Sequence, residues 1–178
     1  MSRWRSWVTS TVSAAATRLR RIALLSGAIA SRVGQPEDAV NFYAEALRHR
    51  PDFVPSRINL ARTLAGLGQI EEADRHYAEA IQQGQLLQAE RAEAWLTAGQ
   101  PAAAQQIAQE AFPQAPTDAA LWLVLGNARL FQHAPEDAER CYRKAQTLAD
   151  TPRARANLGL ALLAQGRFEE AWPLYESR

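Results

Sequence analysis

Apolar residues recur at intervals of three and four along most of the chain, the spacing that lines one face of an α-helix. Near the N-terminus the series runs Trp4, Val8, Val12, Ala15, Leu19 and Ile22. Further on it becomes a repeated triplet: Ala39, Tyr43 and Ala46, then Ala73, Tyr77 and Ala80, then Ala138, Tyr142 and Ala145. Offsets of four and three keep each triplet on one face. Small, large, small is a packing pattern. The alanines let a neighbouring helix approach to the short end of the roughly 8–10 Å interaxial range, and the tyrosine ring fills the space between.

The triplets belong to a longer period. GQPEDA at 34–39, GQIEEA at 68–73, GQPAAA at 99–104, HAPEDA at 133–138 and GRFEEA at 166–171 align, their starts separated by 34, 31, 34 and 33 residues. This period predicts a stacked repeat architecture, each repeat made of two short helices and two turns. Gly34, Gly68, Gly99 and Gly166 sit where an apolar-periodic segment stops and mark the end of a first helix. Pro36, Pro101 and Pro135, with the acidic pairs Glu37/Asp38, Glu71/Glu72, Glu136/Asp137 and Glu169/Glu170, mark the start of a second. Paired carboxylates can suggest general acid/base chemistry. Four copies at one place in a repeat are better explained as helix-start signals, worth roughly 0.3–1 kcal/mol per site at low salt.

Together these residues resemble the tetratricopeptide repeat, whose pattern is Trp-x2-Leu-Gly-x2-aromatic followed by Ala, an aromatic, Ala and Pro. Residues 119–151 match best, through Trp122, Leu125, Gly126, Ala138, Tyr142 and Ala145. Residues 20–53 match through Gly27, Ala39, Tyr43, Ala46 and Pro51, and residues 54–84 through Leu60, Ala61, Leu64, Gly68, Ala73, Tyr77 and Ala80. Residues 85–118 are degenerate, with Arg91 in place of the leucine and Ala108 in place of the aromatic. Residues 152–178 carry Leu158, Gly159, Leu162, Gly166, Ala171 and Tyr175 and stop inside a second helix. The resemblance implies an all-α, right-handed α-solenoid of about five helix-turn-helix repeats over residues 20–178. An N-terminal amphipathic helix or basic arm over residues 1–19 precedes it.

Composition supports a folded chain, with 47% hydrophobic and 22% charged residues among 178. The net charge of +1 is unevenly placed. Before Glu37 there is no acidic residue, while Arg3, Arg5, Arg18, Arg20, Arg21 and Arg32 contribute six positive charges. Two readings of residues 1–19 compete: a helix whose apolar stripe docks on the first repeat and closes the stack, or an interfacial helix whose Trp4 and Trp7 beside arginines suit an anionic membrane surface. Hydroxyl residues within 7–16, followed at once by Arg18–Arg21, argue against a secretory signal. Neither longer uncharged stretch reaches the roughly 18 apolar residues of a membrane span. A single cysteine, Cys141, rules out an intrachain disulfide and offers no Cys/His metal spacing. The cytoplasm is favoured, with residues 1–19 a candidate for peripheral contact at the inner face of a membrane. The basic-aromatic run Arg3–Trp7 is too short for a nucleic-acid platform.

In the family that the chain resembles, first helices line a concave face that holds extended peptides or partner helices. The resemblance therefore implies a non-catalytic interaction scaffold. Its groove positions fall on Leu24 and Ala28, Ile58 and Arg62, Ala89 and Glu93, then Leu123, Asn127, Leu130 and Phe131, and finally Ala156, Leu160 and Leu163. This mostly apolar face suits a protein or peptide partner with periodic apolar anchors. Packing of Leu123, Leu130 and Phe131 against the adjacent repeat is the competing expectation. A family subset clamps a C-terminal carboxylate with lysines and asparagines. Asn59, Asn127 and Asn157 are compatible with it, but Leu123 stands where a lysine is required.

Catalytic motifs are absent: there is no Gly-x-x-x-x-Gly-Lys-Ser/Thr loop, Gly-x-Ser-x-Gly elbow or His-Glu-x-x-His pair. His49, His76 and His133 lie in different repeats and read as surface residues, and Cys141 reads as a buried, inert thiol. No cofactor or metal is expected. The last segment, through Trp172, Pro173, Tyr175, Glu176 and Arg178, is similar to the terminal repeat of bacterial proteins in which such an array precedes a glycosyltransferase-like domain, although Ser177 replaces a second tryptophan. That similarity implies an alternative: the N-terminal portion of a larger enzyme, presenting substrate or partner. Pro173 is expected to kink its helix.

Overall fold

The computed structural model of the chain describes the backbone of residues 2–176 and the side chains of residues 17–174 and 176. Among these residues there are ten α-helices and no strand: α1 (Ser2–Arg32), α2 (Pro36–His49), α3 (Val54–Gly66), α4 (Ile70–Gln82), α5 (Gln88–Thr97), α6 (Pro101–Ala111), α7 (Ala119–Phe131), α8 (Pro135–Leu148), α9 (Pro152–Ala164) and α10 (Phe168–Glu176). The helices form five antiparallel pairs, α1/α2 to α9/α10. They divide into a first unit, Met1–Gln85, and a second, Leu86–Arg178. The expected first helix at residues 20–33 falls on the C-terminal part of α1, about two fifths of its 31 residues, and α1 runs unbroken through residues 19 and 20.

Second helices form where the sequence places their signals. In α2, Pro36 occupies the first turn with Glu37 and Asp38, Arg48 and His49 close the last turn, and Ala39, Tyr43 and Ala46 are buried. Helix α4 buries Ala73, Tyr77 and Ala80, and α8 buries Ala138, Tyr142 and Ala145. In α6 the series is Ala104, Ala108 and Ala111, all small. Pro173 lies inside α10. The tyrosine rings explain two glycines on first helices: a Cβ at Gly27 would stand 2.5 Å from the Tyr43 ring, and one at Gly126 would stand 2.4 Å from the Tyr142 ring.

The turn within each pair uses a left-handed residue. Gly166 has φ of +76°, and His133 takes the same place in the HAPEDA copy at φ +58°. A histidine there bears the steric cost that glycine avoids. Two helix starts in the second unit carry side-chain caps that the repeat pattern did not signal. The Asp118 carboxylate accepts from Ala120 N at 2.8 Å, and the Thr151 hydroxyl accepts from Ala154 N at 3.1 Å.

Candidate functional site

In the first unit, α1 packs against both α2 and α3. Its small residues Ala23, Gly27 and Ala30 are buried. One residue further round the helix, Leu24 and Ala28 are half-buried and turn toward α3, where Ile58 and Arg62 have the same four-residue spacing. These four sequence-predicted positions line one open cleft of about 640 Å³, together with Leu25, Val54, Pro55, Asn59 and Gln85. The walls are mainly aliphatic, and Arg62 stands exposed at the rim. Leu25, Val54 and Pro55 were missed from the sequence, because only two groove positions were carried over to each of α1 and α3.

The cleft wall is held from behind. Arg57, on the α3 face opposite the cleft, is buried, and its guanidinium donates to the Glu79 carboxylate and to the Pro51 carbonyl. His76 on α4 is half-buried rather than a surface residue. Burial, and then the Arg57 charge, push its pKa down, with Glu72 opposing. Burial raises the pKa of the Tyr43 hydroxyl, and a hydrogen bond with Asn59 partly offsets this. Asn59 thus serves the packing between α2 and α3.

The second unit treats the same repeat positions differently. Here α7 has a first helix on each side, α5 and α9. Leu123 was expected on the binding face and is instead in the core, 7% exposed, packed with Tyr142, Ala145, Leu158 and Leu162. The reason is its central position: α8 and α9 cover it. Asn127 is half-buried, and its Oδ1 accepts from the Tyr142 hydroxyl at 2.7 Å and from Asn157 Nδ2 at 3.1 Å. Burial pushes the Tyr142 hydroxyl pKa well above its ordinary value. Glu93 on α5 forms an ion pair with Arg153 on α9. Ala89 packs against the cluster around Trp122 and Val124. Leu130 and Leu163 pack against the cluster around Tyr142, and Ala156 is half-buried. Phe131 and Leu160 are exposed.

Behind α9, Glu139 of α8 accepts from Gln165 Nε2 at 2.9 Å, from Arg143 Nε at 2.8 Å and from Arg167 Nη1 at 2.7 Å. Burial raises its pKa, but these hydrogen bonds and the arginine charges outweigh that and leave it lowered. Cys141 is buried in α8, and burial pushes its thiol up, the opposite of nucleophile activation. Among the described residues no three His, Cys, Asp or Glu side chains are grouped to hold a metal ion. No described helix is long and apolar enough to cross a membrane. The expected apolar stripe of residues 1–19 falls mostly outside the described side chains; its end, Leu19, is exposed.

Two family models, each described as a tetratricopeptide repeat, match the chain, one over residues 32–96 and one over residues 152–176. Among solved structures the chain is similar to TTC0263, a thermophilic TPR protein of Thermus thermophilus, with 23% identity, 88% of each chain covered and a TM-score of 0.69. It is also similar to MamA of Desulfovibrio magneticus, with 19% identity, 88% of this chain and 91% of that one covered, and a TM-score of 0.68. The hetero-tetramer Cut9–Hcn1 of the APC/C contains a similar stretch, with 19% identity, 85% of this chain and 31% of that one covered, and a TM-score of 0.71. At these identities the likeness is one of fold. No curated protein matches the chain. Paired helices, buried Ala-Tyr-Ala faces and the two model matches converge: the chain belongs to the tetratricopeptide-repeat family, with the all-α solenoid fold of that family.

Proposed function

We propose that this chain is a non-catalytic scaffold whose first-unit cleft seats a peptide or partner helix carrying periodic apolar anchors. The carrying observation is the meeting of Leu24 and Ala28 of α1 with Ile58 and Arg62 of α3 on one open, mainly aliphatic cleft. Apolar walls with a cation at the rim favour a partner whose aliphatic side chains enter the cleft and whose acidic residue meets Arg62. The Cut9–Hcn1 hetero-tetramer is an instance of this fold within a protein assembly. In the second unit, Phe131 and Leu160 are exposed apolar positions, while Leu123 and Glu93 serve internal packing and pairing. A cytoplasmic setting is part of the reading, supported by the lone, buried Cys141.

The test is affinity capture with the intact chain beside an Ala28→Glu/Arg62→Glu variant and an Asn127→Ala/Phe131→Ala variant. The first variant is expected to lose bound partners while its thermal unfolding stays close to that of the parent. Retention of every partner by the first variant refutes the placement of the cleft. A second reading, in which the array presents a partner to a glycosyltransferase-like domain, rests on the motif from Trp172 to Arg178. A native reading frame encoding such a domain after Arg178 would support it.

A further inference from the structure

We propose that α1 also seats on an anionic lipid surface, through the exposed apolar stripe of Leu19, Ile22, Ile29 and Val33. This goes beyond the partner cleft and uses a different face of the helix. Leu19, Ile22, Ile29 and Val33 are 52%, 59%, 63% and 64% exposed. Their spacings of three, seven and four place them in one line, roughly a quarter turn round from the buried Ala23, Gly27 and Ala30. The same line, counted back along the sequence, meets Ala15, Val8 and Trp4.

Charge decides what covers the stripe. The first 36 residues hold six arginines and no Asp, Glu or Lys, and Arg18, Arg21 and Arg32 are exposed beside the stripe. A second copy docking α1 on α1 would set six positive charges against six. A surface of negatively charged headgroups over an apolar interior satisfies both features: the aliphatic side chains sink below the headgroups while the arginines remain among them. Such a helix lies in the interface and needs no span, consistent with the absence of a spanning helix among the described residues.

The experiment is sedimentation of the intact chain with mixed phosphatidylcholine–phosphatidylglycerol vesicles and with phosphatidylcholine vesicles. Sedimentation with the mixed vesicles is expected, weakening as salt is raised. Ile22→Asp/Ile29→Asp is expected to lower the partition coefficient by about tenfold or more. Arg18→Glu/Arg21→Glu/Arg32→Glu is expected to lower it by about fivefold or more for each arginine replaced. All five positions are exposed, so thermal unfolding followed by circular dichroism should be close to the parent's. Should the aspartates disturb folding, the arginine variant decides alone. Equal partition of parent and variants, or equal sedimentation with both vesicle types, overturns the proposal. So does a chain that ignores vesicles but self-associates with rising concentration until Ile22→Asp/Ile29→Asp abolishes it, since a second copy would then be the occupant.

Discussion

Leu24 and Leu123 hold the same place in their repeats, each fifteen residues before the first buried alanine of the following helix, Ala39 or Ala138. Leu24 is half-buried on the wall of an open cleft, whereas Leu123 is a core residue. The difference comes from neighbours. Leu123 is covered by Tyr142 and Ala145 of α8 and by Leu158 and Leu162 of α9, whereas Leu24 borders the cleft that α1 shares with Ile58 and Arg62 of α3. Identical residues at identical repeat positions therefore line an open cleft or enter the core according to the helices around them. The tyrosine–glycine pair behaves oppositely. Tyr43 on Gly27 and Tyr142 on Gly126 are the same close contact in both units, because that contact lies inside one helix pair and needs no third element.

The largest test of this contrast removes the rings. Tyr43→Ala and Tyr142→Ala are each expected to cost about 3–5 kcal/mol in denaturant unfolding. The two losses should be close, since each hydroxyl also carries a hydrogen bond, Tyr43 with Asn59 and Tyr142 to Asn127 Oδ1. A loss below about 1 kcal/mol at either position would show that the ring does not pack its helix pair. A smaller effect follows from adding one methyl group. Gly27→Ala and Gly126→Ala force the ring to move and should cost about 1–3 kcal/mol each. Ala61 stands at the equivalent position opposite Tyr77, so the loss measures how far the other two rings have settled onto their glycines.

The smallest effect separates the units by pH. The folded pKa of His76 is depressed below its unfolded value of about 6.5, so the unfolded chain takes up the proton more readily. Its contribution is complete above about pH 6.5 and is lost as pH falls toward the depressed value. Glu139 in the second unit is also depressed, so its contribution is present above about pH 4.3 and is lost only below that. His76→Gln should flatten the stability slope just below about pH 6.5 and leave the acid limb unaltered. A slope unchanged by that substitution would assign the effect elsewhere.

Helix pairs, turns and the Ala-Tyr-Ala faces were legible because each is written in local spacing and repeated several times, so that one copy checks another. His133 aligns with the turn glycines in the HAPEDA copy, but its left-handed turn, which its own side chain disfavours, was not foreseen. Of the positions expected on the binding face, Leu24, Ala28, Ile58 and Arg62 line one cleft, whereas Leu123 is buried. Burial of Leu123 and pairing of Glu93 with Arg153, sixty residues away, depend on contacts between repeats, which no short motif encodes. The same limit applies to His76, which is half-buried within reach of the Arg57 charge on the preceding helix.

Helix α1 has 31 residues and α2 has 14, so at 1.5 Å per residue they measure roughly 46 Å and 21 Å. More than half of α1 thus projects beyond what its antiparallel mate can accompany, like a beam fixed at one end. Whatever takes up the projecting length adds to the free energy of that beam without reworking the joint that holds it, which makes attachment separable from folding.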